Sequence, residues 1–213
     1  MRAMNEIAQL ADGARALGIE LSDSDAARLL RLLDELTHWN RSFNLTAITE
    51  RGKMVTHHLL DSLSIHRDIR GSTVADVGTG AGFPGLPLAL IDPGRHYTLI
   101  DSNNKKLRFV AHGARVLGLQ NVTPLHARVE TTHPRVPFDT VMARAFAALP
   151  DILERVAPLC GPATRVIAMK GKLPEEEIAS LPSAWRVIDT RALTVPGLNE
   201  ARSIVILKST PPP

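Results

Sequence analysis

The 213 residues contain a single cysteine, Cys160, so neither an intramolecular disulfide nor a thiolate metal cage can form. That scarcity suits a reducing compartment. Aromatic residues make up only 4% of the chain, so recognition by ring stacking must rest on very few positions. No stretch approaches the apolar length that crosses a bilayer. The N-terminal MRAMNEIAQLADGARALGIE also lacks the uninterrupted apolar run of a signal peptide, and a cytoplasmic protein is the expectation. Charge of one sign is lacking too: a formal net charge of +3 permits a polyanionic partner without demonstrating one. With 44% apolar and 22% charged residues, the chain reads as globular, long enough for one generous domain or a core with an appendage.

Two textures divide what is present. Residues up to about 70 read as helical. Ser22 is a candidate N-cap before a stripe of Leu29, Leu32, Leu33, Leu36 and Trp39 at three-four spacing. A second helical stretch, from about Glu50 to Ile65, puts Met54, Val55, Leu59 and Leu63 on one side and leaves Leu60 off that stripe. From Thr73 strand and helix alternate through TVADVG, HYTLID, NVTPLHA, TVMARAF and TRVIAMKG, the rhythm of a parallel sheet covered on both faces. WRVIDTRALTV and ARSIVILK follow with only PGLNE between them, too short for a crossover, so these two strands must be antiparallel. The expected fold is α/β: a doubly wound, mostly parallel sheet ending in an antiparallel hairpin, the Rossmann-like arrangement of class I methyltransferases. A helical extension (1–70) would pack on a core (71–209), with a disordered tail at 210–213.

Chemistry concentrates in VADVGTGAGFPGLPLAL, where strand, tight turn and helix start bring backbone close to a ligand. Gly78, Gly80 and Gly82 form G-x-G-x-G, the spacing over which the methionyl end of S-adenosylmethionine lies. Asp76, at the strand end, is placed to accept from its ammonium directly or through water. Gly80, Gly82 and Gly85 also satisfy G-x-G-x-x-G, the dinucleotide fingerprint, so a nicotinamide-dependent oxidoreductase is the rival reading. Pro84 and Pro87 count against it by removing amides a pyrophosphate would use, as does the negative charge of Asp76. Asp101 ends the second strand where a carboxylate takes ribose hydroxyls. Val129 and Glu130 follow the third strand, where an adenine would rest. A ligand-free turn, or an Asp101 that merely caps the next helix, is the plainer alternative.

The methyl acceptor is constrained by elimination. The Asn/Asp-Pro-Pro-aromatic motif that serves exocyclic amines is replaced by Arg144-Ala145-Phe146. Attack at pyrimidine C5 needs a cysteine nucleophile, and Cys160 has no supporting base nearby in sequence and reads as a small apolar residue. Guanine N7 needs no base, because its lone pair is already available. Arg144, Phe146 and Lys170 near strand ends suit that acceptor, with Arg144 able to meet the O6/N7 edge or the cofactor's carboxylate, and Phe146 able to stack. An ion-paired Arg144 and a core Phe146 are the bland alternatives. No Walker loop and no H-E-x-x-H occur, so no metal site is expected. His57, His58 and Asp61 read as a polar helix face with a His57–Asp61 pair at i,i+4.

Taken together, NLTAI (44–48), HHLLDSL (57–63), DVGTGAGFPGLPL, IDSNNKKLRFV (100–110), ARVE (127–130), ARAFA (143–147) and MKGK (169–172) resemble the ribosomal RNA small subunit methyltransferase G family, over nearly the whole chain. The resemblance implies methyl transfer from S-adenosylmethionine to guanine N7 in 16S ribosomal RNA. It puts Gly78, Phe83, Val129, Glu130 and Arg144 at cofactor-contact positions and Asp101 at the ribose position. Arg144 and Lys170 would then serve the reaction, and His57, Lys105, Lys106, Phe146 and Lys172 the RNA. Arg41, Arg51, Lys53 and Arg108 join those lysines as candidate phosphate contacts. Small-subunit RNA is the expected partner of a monomer; a non-catalytic RNA-binding module is a further alternative.

Overall fold

The computed structural model describes residues 2–144 and 147–210, with side chains from Asn5 onward. Helix α1 (Arg2–Ala16) precedes α2 (Asp23–Phe43). Ser22 caps α2: its backbone is extended and its Oγ accepts from the Asp25 N–H at 3.0 Å, satisfying one of the orphan donors of the first turn. The helix ends at Asn44, whose φ of 49° is a left-handed conformation that Asn tolerates better than most residues. The Asn40 side chain then brackets Thr46, donating to its carbonyl and accepting from its N–H, both at 2.9 Å. This pins the loop after α2 against the helix.

The next helix is continuous but not uniform. Short α3 (Arg51–Met54) passes into a π-helical segment, Val55–Leu60, and then α4 (Asp61–Leu63). The Asp61 N–H reaches back five residues to Thr56 O, the widened turn that defines a π-helix. Two sequence expectations change here. Leu60, expected off the apolar stripe, is 2% exposed and packs where a side chain on Gly13 of α1 would stand. The His57–Asp61 pair does not form: five-residue spacing breaks the i,i+4 alignment, and each side chain finds a distant partner.

The sheet comprises β1 (Thr73–Val77), β2 (His96–Asp101), β3 (Val122–His126), β4 (Thr140–Arg144), β5 (Arg165–Lys170), β6 (Trp185–Ala192) and β7 (Ser203–Ser209). Its order is β3-β2-β1-β4-β5-β7-β6, with the first five strands parallel and β7 antiparallel to both neighbours. Between the strands run α5 (Gly85–Ile91), α6 (Asn104–Val116) and α7 (Leu149–Val156), and a short α8 (Glu175–Ala179) precedes the hairpin. Alternation along the strands separates two apolar clusters. Val74, Leu99, Met142 and Ile167 face α2, the π segment, α5 and α6; Val77, Ile100, Val141 and Val166 face α7. Trp39 of α2 meets Phe109 and His112 of α6 at ring-centroid distances of 5.7 and 5.1 Å. Strand order reverses between β1 and β4, and the carboxyl ends at such a switch point are where α/β sheets bind ligands. Of the expected tail, Thr210 donates to Ala184 O at 2.7 Å; 211–213 fall outside the described residues.

Candidate functional site

The loop after β1 holds three left-handed glycines, Gly78, Gly80 and Gly82, at φ of 64°, 60° and 85°. A side chain at Gly82 would be strained there, and its Cβ would stand 2.5 Å from Leu86 Cδ1. Almost every amide of the loop is occupied. Gly78 and Thr79 donate to Ile100 O at 2.9 and 3.1 Å, and Gly82 and Phe83 to Thr79 O at 3.0 and 3.2 Å. Gly80 donates to Asp101 Oδ2 and Gly85 to Asp76 Oδ2, each at 2.9 Å. A pyrophosphate cradle needs such N–H groups turned toward the ligand; here they are consumed inside the protein by two carboxylates and two carbonyls.

Those carboxylates suit a cation instead. Asp76 is 1% exposed; its Oδ2 also accepts from Thr79 Oγ1 at 2.6 Å, while Oδ1 is buried with no hydrogen-bond partner. Burial pushes its carboxyl up to about 6, against the hydrogen bonds of Thr79 and Gly85. A buried, half-satisfied carboxylate gains from a neighbouring positive charge, which the ammonium of S-adenosylmethionine supplies and a pyrophosphate does not. Asp101 spans the loop from β2, accepting from Gly80 through Oδ2 and from the Asn103 N–H through Oδ1 at 2.8 Å.

On the far side of the loop a cleft of about 640 Å³ opens between the π segment, β4, β5 and the β6–β7 hairpin. Asp61, 3% exposed, anchors it by holding two arginines. Arg144 Nη1 lies 3.1 Å from Asp61 Oδ2 and Arg202 Nε lies 3.2 Å from Oδ1. Arg144 also donates to His57 O at 3.0 Å and sits 6.0 Å above the Phe83 ring. Glu200 links Arg202 (3.1 Å) to His57 Nε2 (3.2 Å). His58 stacks on Phe83 with centroids 4.8 Å apart and reaches Thr46 Oγ1 through Nε2 at 3.1 Å. Burial, then the Arg144 and His57 charges, lower its pKa to about 3, so the imidazole is neutral. Lys170 donates to Ala147 O at 2.9 Å and pairs with Glu177 at 2.8 Å. Burial pulls the Glu177 carboxyl upward, but bonds from Lys170 and the Leu149 N–H outweigh it and hold it below the usual range.

Of the residues expected from sequence, the cleft lining brings together His57, Gly78, Gly80, Phe83, Arg144, Lys170 and Lys172. Asp76, Gly82, Asp101, Val129 and Glu130 lie outside that lining. Val129 is buried in the apolar cluster that faces α7, and Glu130 is exposed, 3.8 Å from Arg155. Lys105 and Lys106, on the first turn of α6 where Asn103 Oδ1 accepts from both amides, are also outside it. Phe146 lies outside the described residues. Arg51, expected to contact phosphate, is enclosed by Glu6 and Asp34 at 3.1 and 3.0 Å. Sequence reasoning missed Thr46, Asp61, Glu177 and Arg202 as cleft residues and left His58 on a polar surface. The stretches NLTAI and HHLLDSL, which carry part of the family resemblance, were the signal available for Thr46, His58 and Asp61. Cys160 is far from this chemistry; burial pushes its thiol up to about 12, and its Sγ donates to Val156 O at 3.2 Å.

The family model described as rRNA small subunit methyltransferase G matches residues 25–205. The chain belongs to this family. The family's curated members named Ribosomal RNA small subunit methyltransferase G include one from Nitrosococcus oceani, 42% identical over 93% of both chains. Another, from Alkalilimnicola ehrlichii, is 47% identical over 91% of this chain and 88% of its own. Among solved structures, a SAM-dependent methyltransferase from Thiobacillus denitrificans in complex with S-adenosyl-L-homocysteine superposes with a TM-score of 0.56. It has 13% identity and covers 70% of this chain and 91% of its own. A ribosomal protein L11 methylase from Lactobacillus delbrueckii subsp. bulgaricus gives 0.55 at 18% identity, covering 71% and 77%. At such identities the structural likeness establishes the class I methyltransferase fold, and the family relatives carry the rest.

Proposed function

We infer that this chain is an S-adenosylmethionine-dependent methyltransferase acting on ribosomal RNA of the small subunit, and that the accepting atom is a guanine N7. The observation that carries the cofactor assignment is the loop's internal use of its amides together with the unpartnered, buried Asp76 Oδ1. An ammonium-bearing ligand satisfies that oxygen, whereas the dinucleotide reading lacks the amides it needs. The cofactor supplies an electrophilic methyl group on a sulfonium. The chain's own residues hold and orient: Asp76 takes the ammonium, Gly78 and Gly80 allow close approach, Asp101 the ribose hydroxyls, and Val129 and Glu130 the adenine.

The acceptor follows from what the cleft offers. Its carboxylates, Asp61 and Glu177, are tied to arginine and lysine. His57 is engaged through both ring nitrogens by Lys53 O and Glu200, and the buried His58 imidazole is a weak base with a pKa of about 3. A nucleophile that must lose a proton before attack is poorly served. Guanine N7 attacks with its own lone pair, leaving S-adenosylhomocysteine and a cationic base. Alignment of donor and acceptor then supplies most of the rate. Arg144 reads the O6/N7 edge or holds the cofactor's carboxylate, while Lys170, paired with Glu177, positions the β5 end. His57, Phe146 and Lys172 lie toward the RNA, with Lys105 and Lys106 acting at longer range. In this reading residues 1–70 form one wall of the acceptor cleft and 71–209 hold the cofactor, in a cytoplasmic monomer.

Labelled S-adenosylmethionine incubated with small subunits that lack this modification tests the proposal. Label entering the RNA supports it. A melting shift with S-adenosylhomocysteine but no transfer would keep the cofactor and discard the substrate. A shift with NADH alone would discard both.

A further inference from the structure

Outside the cleft, along the wall formed by the loop after α2, two further depressions of about 390 and 650 Å³ extend onto α2. Ile48 lines both the catalytic cleft and the first of them, and Thr37, Arg41, Thr49 and Met54 line both depressions. The three hollows thus adjoin in a row, with Ile48 the step out of the cleft. Along this row Arg31, His38 and Arg41 are exposed and fall at i, i+7 and i+10 on α2, one stripe about 15 Å long at 1.5 Å per residue.

The row carries both signs with the positive in excess: Arg31, Arg41 and Arg51 against Glu6 and Asp34, the last exposed on the same stripe at i+3. Neither Arg31 nor Arg41 has an ion-pair partner among the described residues, whereas the acids of the groove, Glu6 and Asp34, both face Arg51 at 3.1 and 3.0 Å. Two uncompensated guanidiniums beside neutral Thr37, Asn40, Asn44 and Thr49 suit a chain of phosphates flanked by sugar hydroxyls. By contrast, Lys105 and Lys106 adjoin none of the three hollows. On the reading that the cleft methylates RNA, we propose that this groove is the track for the single strand flanking the methylated nucleotide. The strand leaves the cleft over Ile48 and runs along α2, its phosphates on Arg41 and Arg31.

The test compares Arg31→Glu/Arg41→Glu with Lys105→Glu/Lys106→Glu in the full chain. Three readouts are used: methyl transfer to unmodified small subunits, S-adenosylhomocysteine affinity, and binding of a labelled single-stranded oligoribonucleotide across a salt series. The arginine reversal is expected to raise KM for subunits at least tenfold while kcat and cofactor affinity stay within twofold. The salt slope for the oligoribonucleotide should flatten by about 1.4, two single-strand contacts at about 0.7 each. The lysine reversal, which removes longer-range contacts, should also raise KM, but by less than the arginine reversal. Arg31→Gln/Arg41→Gln, which removes charge without adding any, should give an intermediate loss in a protein of unchanged melting temperature.

Unchanged oligoribonucleotide affinity and salt slope in the arginine variants would overturn the proposal. So would a larger effect from the lysine pair, which puts the strand on the other side of the cleft. A KM increase on intact subunits without any change in oligoribonucleotide binding would mean that the groove receives a ribosomal protein, and would also overturn it. If wild-type protein transferred no methyl group yet bound the oligoribonucleotide through Arg31 and Arg41, the methyltransferase reading would fall and the RNA track would stand.

Discussion

The two sides of the glycine loop are built on different principles. On the side of β1, β2 and β3, Asp76 and Asp101 lie within 25 residues of one another and fasten the loop by hydrogen bonds to its own amides. On the other side, Arg144, Arg202 and Glu200 reach Asp61 and His57 across 83 to 143 residues. One side is set by a local run of sequence and the other by ion pairs that exist only once the hairpin has closed against the π segment. The loop side thus depends on its own stretch of sequence, whereas the cleft depends on all four elements around it.

Substitutions should separate the two sides, and the largest effect is expected in the loop. Gly82→Ala combines a left-handed backbone with overlap against Leu86, a loss of about 2–5 kcal/mol. Chemical denaturation should show that loss, and calorimetry with S-adenosylhomocysteine no binding. Asp61→Ala acts on the other side. It leaves two partly buried guanidiniums without their shared anion, costing about 3 kcal/mol. Methyl transfer should fall at least a hundredfold while cofactor affinity stays within threefold; equal loss of both would erase the distinction between the two sides.

Acid sharpens the comparison, because His58 on one side and Asp76 on the other carry displacements that oppose. His58 is held near 3 in the fold against about 6.5 in an unfolded chain. The unfolded chain therefore takes the proton first, and stability from this group is full above about 6.5 and lost as pH falls toward 3. Asp76 is raised to about 6, so the folded chain takes the proton first and its contribution declines as pH rises from about 4 to about 6. Over that interval the slopes offset in the wild-type protein. In His58→Gln the His58 slope is gone, so stability relative to the wild-type protein, measured by urea unfolding, should fall by about 2 kcal/mol from pH 4 to pH 6. Groups common to both, such as His66 and Glu177, cancel in the difference. A difference between the two proteins that does not vary with pH would contradict the burial of His58. The smallest effect is expected at Glu130→Gln: a three- to tenfold weaker cofactor affinity, about 1 kcal/mol, the value of one hydrogen bond, with RNA affinity unchanged.

This contrast also explains how much was legible in the sequence. Ser22 as a cap, the glycine loop, Asp101 at a strand end and the antiparallel last strands are all local signals, and each appears where its pattern predicts. The acceptor side carries no such signal. Nothing in VTHHLL announces a π turn, yet that turn moves Asp61 away from His57 and buries Leu60. Arg202 lies in the hairpin connection just before β7, 141 residues from Asp61, and periodicity says nothing of its destination. Lys170 was expected in the chemistry because it ends a strand, but Glu177 of α8, a helix absent from the sequence expectation, engages its charge.

The central claim is that the cleft serves an acceptor needing no base. Nucleoside mass spectrometry of small-subunit RNA, after reaction with labelled S-adenosylmethionine, tests it most directly. The account predicts label in N7-methylguanosine and in no other nucleoside. Label in a methylated exocyclic amine or in a C5-methylpyrimidine would contradict it, since each requires a base or a thiolate, and the carboxylates and His57 of this cleft are already held in ion pairs and hydrogen bonds while His58 is buried.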